Sequence, residues 1–403
     1  MSDRIYMDNA ATSFPKPPAV MEAMAAFAAD CGASAGRGAY GEAVECGQII
    51  SLCRRRVASL INAESPERIV FAMNCSEALA IVIRGLLNTA PRGSEAVATA
   101  MEHNSVLRPL NALAQQTGLL PKFVPCDGAT GMVDPDDIRR AMTPRTALIV
   151  CQHASNVTGT LQPIAEVAAV AAQEGVPCLI DAAQSAGQVA IDVQALGADF
   201  VAFPGHKGLL GPLGTGVLYI RPGMEDSLPT MKEGGTGTVS ERPTQPTSMP
   251  DKYEIGSHNA IGLAGLSEGV AWLLERGLDN LREHHSRLGR VFAELTDGAE
   301  NLTVYGPRRA DDRVALFSVN VGGMEPGELA AALESSFGVL TRAGLHCAPL
   351  AHRTIGTYPL GTCRLSFGPF TDEEQVRQAA SALVSIAERV ATGGSQRRAP
   401  VGG

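Results

Sequence analysis

Residues 177–220 read PCLIDAAQSAGQVAIDVQALGADFVAFPGHKGLLGPLGTGVLYI. The apolar runs at 177–181, 198–203 and 216–220 have the length and composition of buried strands. The first run ends in a carboxylate, Asp181, and the second leads into a glycine-rich segment that contains Lys207. This stretch therefore predicts neighbouring buried strands with charged side chains at their ends.

The same alternation of short apolar runs and helical periods extends back to about residue 66. Predicted strands lie at 68–72, 95–100, 122–125, 147–151, 177–181, 198–203 and 216–220, and predicted helices at 76–87, 105–116 and 163–174. Strands separated by helices of this length indicate βαβ units and a mostly parallel sheet that is covered on both faces. Because ligands of such sheets bind at the carboxyl ends of the strands, we expect the functional residues there.

The second half of the chain predicts a smaller α/β domain. A stretch rich in Pro, Gly, Thr and Ser at 234–250 indicates a long loop, which is functional or disordered. The predicted elements after it are helices at 260–275 and 278–295, strands at 313–321 and 362–367, and helices at 326–336 and 372–390. We divide the chain into an N-terminal segment that packs with the small domain (1–20), a large domain (21–260), a small C-terminal domain (261–392) and a disordered tail (393–403).

The composition is that of an ordinary soluble protein, with 45% hydrophobic and 19% charged residues among 403. No apolar run approaches the ~18 residues that a membrane span needs, and the first residues do not resemble a signal peptide, so we expect a cytoplasmic protein. A net charge of −9 without a large basic cluster argues against nucleic-acid binding. The nine cysteines are widely spaced without a CxxC pair, which argues against a disulfide framework and a metal site.

Lys207 lies in the glycine-rich segment 203–216. A lysine becomes a nucleophile toward carbonyl groups when its surroundings lower its pKa. Glycines allow the backbone to approach a bulky ligand closely. A surface lysine on a glycine-rich turn would give the same pattern, so this segment alone leaves both interpretations open.

Asp181 ends a buried apolar strand, where a carboxylate is costly unless it has a cationic partner. A protonated pyridinium nitrogen is such a partner, and a carboxylate beside it keeps the ring an electron sink. The alternative is an aspartate that caps the following helix.

A set of short segments, in a fixed order along the chain, carries a resemblance to a known family. The segments are 7–12 (MDNAAT), 102–106 (EHNSV), 153–159 (HASNVTG), 181–184 (DAAQ), 205–207 (GHK), 342–349 (RAGLHCAP) and 363–366 (CRLS). Over nearly its whole length the chain resembles the cysteine desulfurase and selenocysteine lyase group of class V aminotransferase-fold enzymes, of the type with compact active-site loops. The resemblance implies fold type I of the pyridoxal-phosphate-dependent transferases, with a large, mostly parallel sheet domain and a smaller C-terminal α/β domain.

The resemblance assigns roles to residues by their position. Lys207 resembles the lysine that binds pyridoxal 5'-phosphate (PLP) as a Schiff base and moves the proton of the substrate α-carbon. Asp181 resembles the partner of the ring nitrogen, and His103 the histidine that stacks on the ring; without this context, a histidine at a helix start would explain His103. Further contacts are implied for Gln184 and Asn156 at the ring hydroxyl or substrate, and for His206 at the phosphate.

The predicted phosphate site departs from the family. Cys75 and Ser76 lie where a strand end opens a helix, which favours anion binding. Pro204 stands where relatives carry a hydroxyl residue, so one donor is lost. Ser257 replaces the usual threonine, which in relatives reaches the cofactor of the partner subunit.

Arg364 resembles the residue that binds the substrate α-carboxylate, for which a guanidinium is well suited, and Arg342 resembles a second active-site arginine.

Cys347 decides the predicted function. A reactive thiol needs cationic neighbours, which we expect Arg342, His346 and His352 to provide. An inert buried thiol is the alternative.

These residues imply a PLP-dependent cysteine desulfurase that converts L-cysteine to L-alanine, forms a persulfide on Cys347 and passes it to an acceptor. Alternatives with the same cofactor are a selenocysteine lyase acting on L-selenocysteine, another C–S lyase and an aminotransferase. A catalytically inactive scaffold is the alternative outside enzymology. The family implies a homodimer and a sulfur-acceptor or scaffold protein, and we expect neither nucleic acid nor a membrane as a partner.

Overall fold

The computed structural model describes residues 4–36 and 38–396. The strands, in chain order, are β1 (Ile5–Tyr6), β2 (Ile69–Ala72), β3 (Glu95–Thr99), β4 (Leu120–Val124), β5 (Thr146–Gln152), β6 (Cys178–Asp181), β7 (Phe200–Pro204), β8 (Gly216–Ile220), β9 (Leu302–Tyr305), β10 (Leu316–Val321), β11 (Val339–Leu340), β12 (Arg342–Gly344) and β13 (Thr362–Ser366).

The helices are α1 (Pro18–Ala26), α2 (Gly41–Leu60), α3 (Cys75–Leu87), α4 (Asn104–Thr117), α5 (Pro135–Ala141), α6 (Ile164–Gln173), α7 (Val193–Leu196), α8 (Met224–Ser227), α9 (Ala260–Arg276), α10 (Leu278–Thr296), α11 (Pro326–Phe337), α12 (Pro349–Thr354) and α13 (Glu373–Gln396). A π-helical turn at Phe27–Cys31 and 3₁₀ turns at Pro66–Arg68 and Ala310–Asp312 connect them. None of the helices in the described part of the chain is long and apolar enough to cross a membrane.

A seven-stranded sheet with the order β2-β8-β7-β6-β5-β3-β4 forms the centre of the first half. Strands β3 to β7 are parallel, and β8 is antiparallel to both of its neighbours, β2 and β7. Central strands are apolar on both faces, because helices cover the sheet from both sides; Ile149, Leu179 and Ile180 are fully buried. The predicted α/β fold with a mostly parallel sheet is confirmed.

A smaller, antiparallel sheet with the order β12-β13-β10-β9 forms the centre of the second half. At the start of the chain, β1 pairs in parallel with β11, and Ile5 and Met7 lie in the same apolar cluster as Phe317 and Leu383. The predicted domain boundaries remain a prediction. Helix α13 includes residues 393–396 of the predicted tail, and the rest of that tail lies outside the described residues.

Gly216 brings the edge of the large sheet into close contact with the start of α3. A Cβ atom at this position would lie 2.4 Å from the carbonyl carbon of Asn74, so a side chain would displace the backbone that opens α3. Gly47 in α2 is a matched contrast, because a Cβ there would meet no heavy atom within 4 Å.

We expect Gly216→Ala to lower the free energy of unfolding by about 1–3 kcal/mol, as overpacking does elsewhere. Gly47→Ala should raise it by about 0.5–1 kcal/mol, because alanine restricts the unfolded chain and favours the helix. Urea denaturation of both variants beside wild type measures the two effects. Equal stability of Gly216→Ala and wild type would contradict the close contact.

Candidate active site

A cavity of about 110 Å³ opens at the carboxyl ends of the parallel strands. The loops after β2, β3, β5, β6 and β7 all reach it, as expected for ligand sites in sheets of this kind. The predicted cofactor residues that line it are Cys75, Ser76, His103, Asn156, Asp181, Gln184, His206 and Lys207. The structure thus brings this part of the predicted set together in one site.

Lys207 follows β7 by three residues and lines the cavity. Among the described residues, its amine has neither a hydrogen bond nor an ion pair. Desolvation lowers the pKa of Lys207, and the positive charges of Arg364 and Arg342 lower it further. A lysine held in this way is more readily neutral, and a neutral amine is a nucleophile and a base.

Asp181 is the last residue of β6 and is buried. Its Oδ1 accepts hydrogen bonds from the N–H of Ala183 at 2.9 Å and from the Cys75 thiol at 3.7 Å. Burial raises the pKa of Asp181, and no cation of the described chain forms an ion pair with it. The hydrogen bond from the Ala183 N–H fits the alternative interpretation, in which Asp181 caps the backbone that follows it. The missing counter-charge fits a ligand that brings a protonated ring nitrogen.

Two buried amides leave acceptors without a partner in the described structure. Asn156 donates from Nδ2 to the carbonyl of His346 at 2.6 Å, and Gln184 donates from Nε2 to the carbonyl of Ala10 at 3.0 Å. The Oδ1 of Asn156 and the Oε1 of Gln184 remain unpaired. Because buried polar atoms are normally paired, these oxygens fit a ligand that brings O–H or N–H donors.

His103 is the N-cap of α4, and its Nδ1 accepts a hydrogen bond from the N–H of Ser105 at 3.0 Å. The ring proton therefore lies on Nε2. Desolvation, aided by the charge of Lys207, lowers the pKa of His103 to about 4, so the ring is neutral. Ser105 Oγ also lies 2.9 Å from Nδ1 and 2.6 Å from Ser76 Oγ, which links the histidine to the start of α3.

The start of α3 has the features of an anion site. Asn74 caps the helix by accepting a hydrogen bond from the N–H of Glu77 at 2.9 Å. Within the described structure, the N–H groups of Cys75 and Ser76 have no acceptor, and a helix N-terminus favours negative charge. Pro204 lines the same cavity and adds no donor.

Cys347 is exposed, and both it and His346 adopt left-handed backbone conformations, with φ of 59° and 47°. The Cys347 carbonyl accepts a hydrogen bond from the N–H of Asn104 at 2.7 Å, which fixes this loop beside His103. The prediction that His346 and His352 supply positive charge to the thiol is wrong. Burial lowers the pKa of His346 well below its usual value and that of His352 to about 4, so both rings are neutral.

The two predicted arginines lie side by side, because Arg342 of β12 is the cross-strand partner of Arg364 of β13. Arg364 is buried; it donates to the carbonyl of Asn156 at 3.0 Å and pairs with Asp8 at 3.0 Å. Arg342 is partly exposed and, within the described residues, has no such partner. Neither lines the cavity, but the charges of both lower the pKa of His103 and of Lys207.

Ser257 lies away from this cavity. It is exposed on the loop before α9 and lines a separate cavity of about 270 Å³ together with Lys232 and His258. Ser257 is thus not among the residues that line the Lys207 cavity, and its predicted contact with a partner subunit's cofactor stays a prediction.

Sequence reasoning missed the contributions of Asp8, Asn104 and Ser105. All three lie inside segments that carry the family resemblance, 7–12 and 102–106, so the signal was present. Their partners are distant in sequence or belong to the backbone, and neither spacing nor periodicity reveals such contacts.

The fold and this cavity define the class of the protein: it has fold type I of the PLP-dependent transferases. The family model described as "Aminotransferase class-V" matches residues 5–378, and the chain belongs to this family.

Individual relatives cover almost the whole chain. A probable cysteine desulfurase of Methanothermobacter thermautotrophicus is 34% identical over 390 residues, which are 96% of this chain and 96% of that protein. The apo structure of a cysteine desulfurase from Thermococcus onnurineus NA1 is 34% identical with a TM-score of 0.90 and covers 96% of this chain and 95% of its own. The cysteine desulfurase CsdA from Escherichia coli is 28% identical, with a TM-score of 0.83 and the same coverage.

A second buried acid, Glu102, lies directly before His103. Its Oε1 accepts hydrogen bonds from Thr99 Oγ1 at 2.6 Å and from the N–H of Gln152 at 3.0 Å, while its Oε2 has no partner in the described structure. Burial, aided by the charge of Asp181, raises the pKa of Glu102 from 4.5 to about 8. The protonated form is thus favoured at neutral pH.

This shift predicts how stability depends on pH. A raised pKa in the folded state means that the contribution of Glu102 is complete below about pH 4.5 and is lost as the pH rises through about 8. We expect wild type to lose on the order of a few kcal/mol relative to Glu102→Gln between pH 5 and 9, because glutamine cannot ionise. Denaturation at several pH values measures this, and Glu373→Gln on the exposed face of α13 is the control. Parallel profiles for wild type and Glu102→Gln would show that Glu102 does not titrate in this way.

Proposed function

We propose that the protein is a PLP-dependent cysteine desulfurase that converts L-cysteine to L-alanine, forms a persulfide on Cys347 and passes the sulfur to an acceptor. The position of Cys347 carries this proposal: it is an exposed thiol whose backbone is bonded to Asn104, next to the cavity residue His103. The relatives named as cysteine desulfurases support it, since they cover nearly the whole chain.

The cavity residues fit PLP by their chemistry. Lys207 would hold the cofactor covalently, and Asp181 would face its ring nitrogen. Ser76 and the N–H groups that open α3 would hold the phosphate, with His206 nearby and Gln184 and Asn156 at the ring hydroxyl. When bound, the cofactor supplies a sink for the electron pair left at the substrate α-carbon.

The side chains of the protein then have separate roles in the reaction. The Lys207 amine, whose pKa desolvation lowers, accepts and returns the proton of the α-carbon. Arg364 binds the α-carboxylate through its charge, with Arg342 beside it in the next strand. The neutral ring of His103, which lines the cavity and carries its proton on Nε2, would stack on the cofactor ring.

Sulfur transfer requires the thiolate of Cys347 to attack the sulfur atom of the substrate. The bond between sulfur and the β-carbon breaks, the carbon fragment takes a proton and leaves as alanine, and the sulfur stays on the enzyme as a persulfide. The exposure of Cys347 suits both this attack and delivery to an acceptor. His346 and His352 are neutral and therefore add no positive charge beside this thiol.

The proposal extends to assembly and location. We infer a homodimer in which Ser257, which is exposed and does not line the chain's own Lys207 cavity, reaches the cofactor phosphate of a partner subunit. We also propose a protein that accepts the sulfur, and a cytoplasmic location. The free state of the described cysteines is consistent with a reducing compartment.

The first test is turnover of L-cysteine by the PLP-loaded protein. We expect wild type to form alanine and a protein persulfide, and Cys347→Ala to form neither, because the sulfur then has no nucleophile. Cys363→Ala is the matched control: burial raises the pKa of Cys363 to about 11, so its thiol is inert and its loss should leave turnover intact. If Cys347→Ala still released alanine, or if only L-selenocysteine reacted, the lyase alternative would replace this proposal.

The phosphate end of the site gives a second test. Pro204→Ser adds a hydroxyl to the cavity wall, and we expect it to lower the dissociation constant of PLP by about tenfold, the value of one hydrogen bond to a charged group. Pro177→Ser, at the opposite end of β6, should not change it. Equilibrium dialysis of PLP against the apo proteins gives both values, and unchanged binding in Pro204→Ser would place the phosphate elsewhere.

A further inference from the structure

The segment 7–16 carries the first family-like motif, yet none of its residues has a role in the proposed reaction. One end of this N-terminal segment lies along β13: Ser366 donates its N–H to the Met7 carbonyl at 2.7 Å, and Ala10 donates its N–H to Ser366 Oγ at 2.8 Å. A side chain at Gly368 would lie 2.4 Å from Asn9 Oδ1, so the segment is in close contact with the end of this strand.

The other end of the N-terminal segment contacts the cavity loops. The carbonyl of His206, the residue before Lys207, accepts hydrogen bonds from the N–H of Ser13 at 3.1 Å, Thr12 Oγ1 at 3.0 Å, Ser13 Oγ at 3.2 Å and Lys16 Nζ at 3.3 Å. The Ala10 carbonyl in this segment also accepts a hydrogen bond from Gln184 Nε2. It therefore fixes the cavity loops and β13 relative to one another.

Asp8 lies in the middle of this fixed segment and faces Arg364. Its Oδ1 is 3.0 Å from Arg364 Nη2, and it is the single carboxylate among the described residues that pairs with this arginine. Arg364 also donates a hydrogen bond from Nη1 to the carbonyl of Asn156, a residue of the cavity wall. The Nε of Arg364 is buried without a partner in the described structure.

We propose that Asp8 is a positioning residue for carboxylate recognition: together with the Asn156 carbonyl, it fixes the plane of the Arg364 guanidinium before an amino acid binds. Two of the five N–H groups are then held by the protein from different directions, and the others stay available for the α-carboxylate of the ligand. This inference rests on the proposed function, in which Arg364 binds that carboxylate.

The neighbouring arginine shows why orientation matters. Arg342 lies across the strand pair from Arg364 but is partly exposed and, in the described part of the chain, has no counter-ion. A guanidinium without fixed contacts loses side-chain entropy when it binds a ligand, whereas a preorganised one does not. Asp8 also offsets the cost of burying the Arg364 charge, which desolvation alone disfavours.

The test compares two ligands of the PLP-loaded full-length protein. L-alanine carries the carboxylate, and ethylamine has the same methyl and amine groups without it. Calorimetry gives the dissociation constant of each for wild type, Asp8→Ala and the isosteric Asp8→Asn. Asp199→Asn is the control, because it weakens another ion pair, with the partly exposed Arg221, at the end of β7 opposite to the cavity.

We expect Asp8→Ala to raise the dissociation constant of L-alanine about tenfold and to leave that of ethylamine unchanged. Asp8→Asn should show a smaller loss, because the amide oxygen still accepts from Nη2. In Asp199→Asn the ratio of the two constants should match wild type even where the melting temperature falls. If the role of Asp8 were purely structural, the ratio of the two dissociation constants in the Asp8 variants would also match wild type. That result would overturn the inference.

Tighter binding of L-alanine by the Asp8 variants would also overturn it, since Asp8 would then compete with the ligand. If Asp8→Ala does not fold, the isosteric Asp8→Asn decides. The ratio of the dissociation constants of L-alanine and ethylamine does not depend on sulfur transfer. Failure of wild type to release alanine from L-cysteine would therefore refute the proposed function alone, whereas an unchanged ratio refutes the role of Asp8 alone.

Discussion

Burial of Asp181 without an ion pair to any cation of the described residues is the constraint on which the site depends. An unpaired buried carboxylate costs several kcal/mol in a low-dielectric interior, and the described chain offers it only the Ala183 N–H and the Cys75 thiol. Lys207 is desolvated in the same cavity and is also unpaired there. The apo site is therefore unfavourable by itself, and a ligand with a protonated ring nitrogen and a carbonyl group relieves both costs. Affinity for such a ligand and the local stability of this edge of the sheet are thus coupled.

The parallel sheet supplies this edge, and the sequence predicted it well because its signal is local. Strands such as 147–151 and 177–181 are apolar on both faces, and their polar residues come directly after the strand end. The antiparallel direction of β8 could not be predicted in this way, because periodicity contains no information on direction. Helix α2 was missed for a related reason: its buried Arg54 is paired with Glu254, 200 residues away in sequence. Without that partner the triple arginine at 54–56 indicates an exposed surface.

The same limit applies inside the site. Cavity residues at the end of a strand or shortly after it, such as Asp181 and Lys207, could be predicted from the sequence because the sheet fixes their positions. The protonation of His346 and His352 could not, because it depends on burial that only the packed structure shows. Asp8 lies within a family-like segment, but its partner Arg364 is 356 residues away in sequence. Sequence reasoning therefore could not predict the contacts that join segments of the site far apart in the chain.

Of the residues that we expect to depart from the family, Cys75 and Pro204 line the cavity, whereas Ser257 does not. Pro204 contributes no hydrogen-bond donor to the cavity wall, which also contains Ser76 at the start of α3. Cys75 is a thiol whose pKa burial raises well above its usual value, so it stays protonated and donates toward Asp181. Its contribution is thereby directed to the ring end of the cavity. In the proposed function the phosphate is then left to Ser76 and to the backbone N–H groups that open α3, and most side-chain substitutions retain those N–H groups.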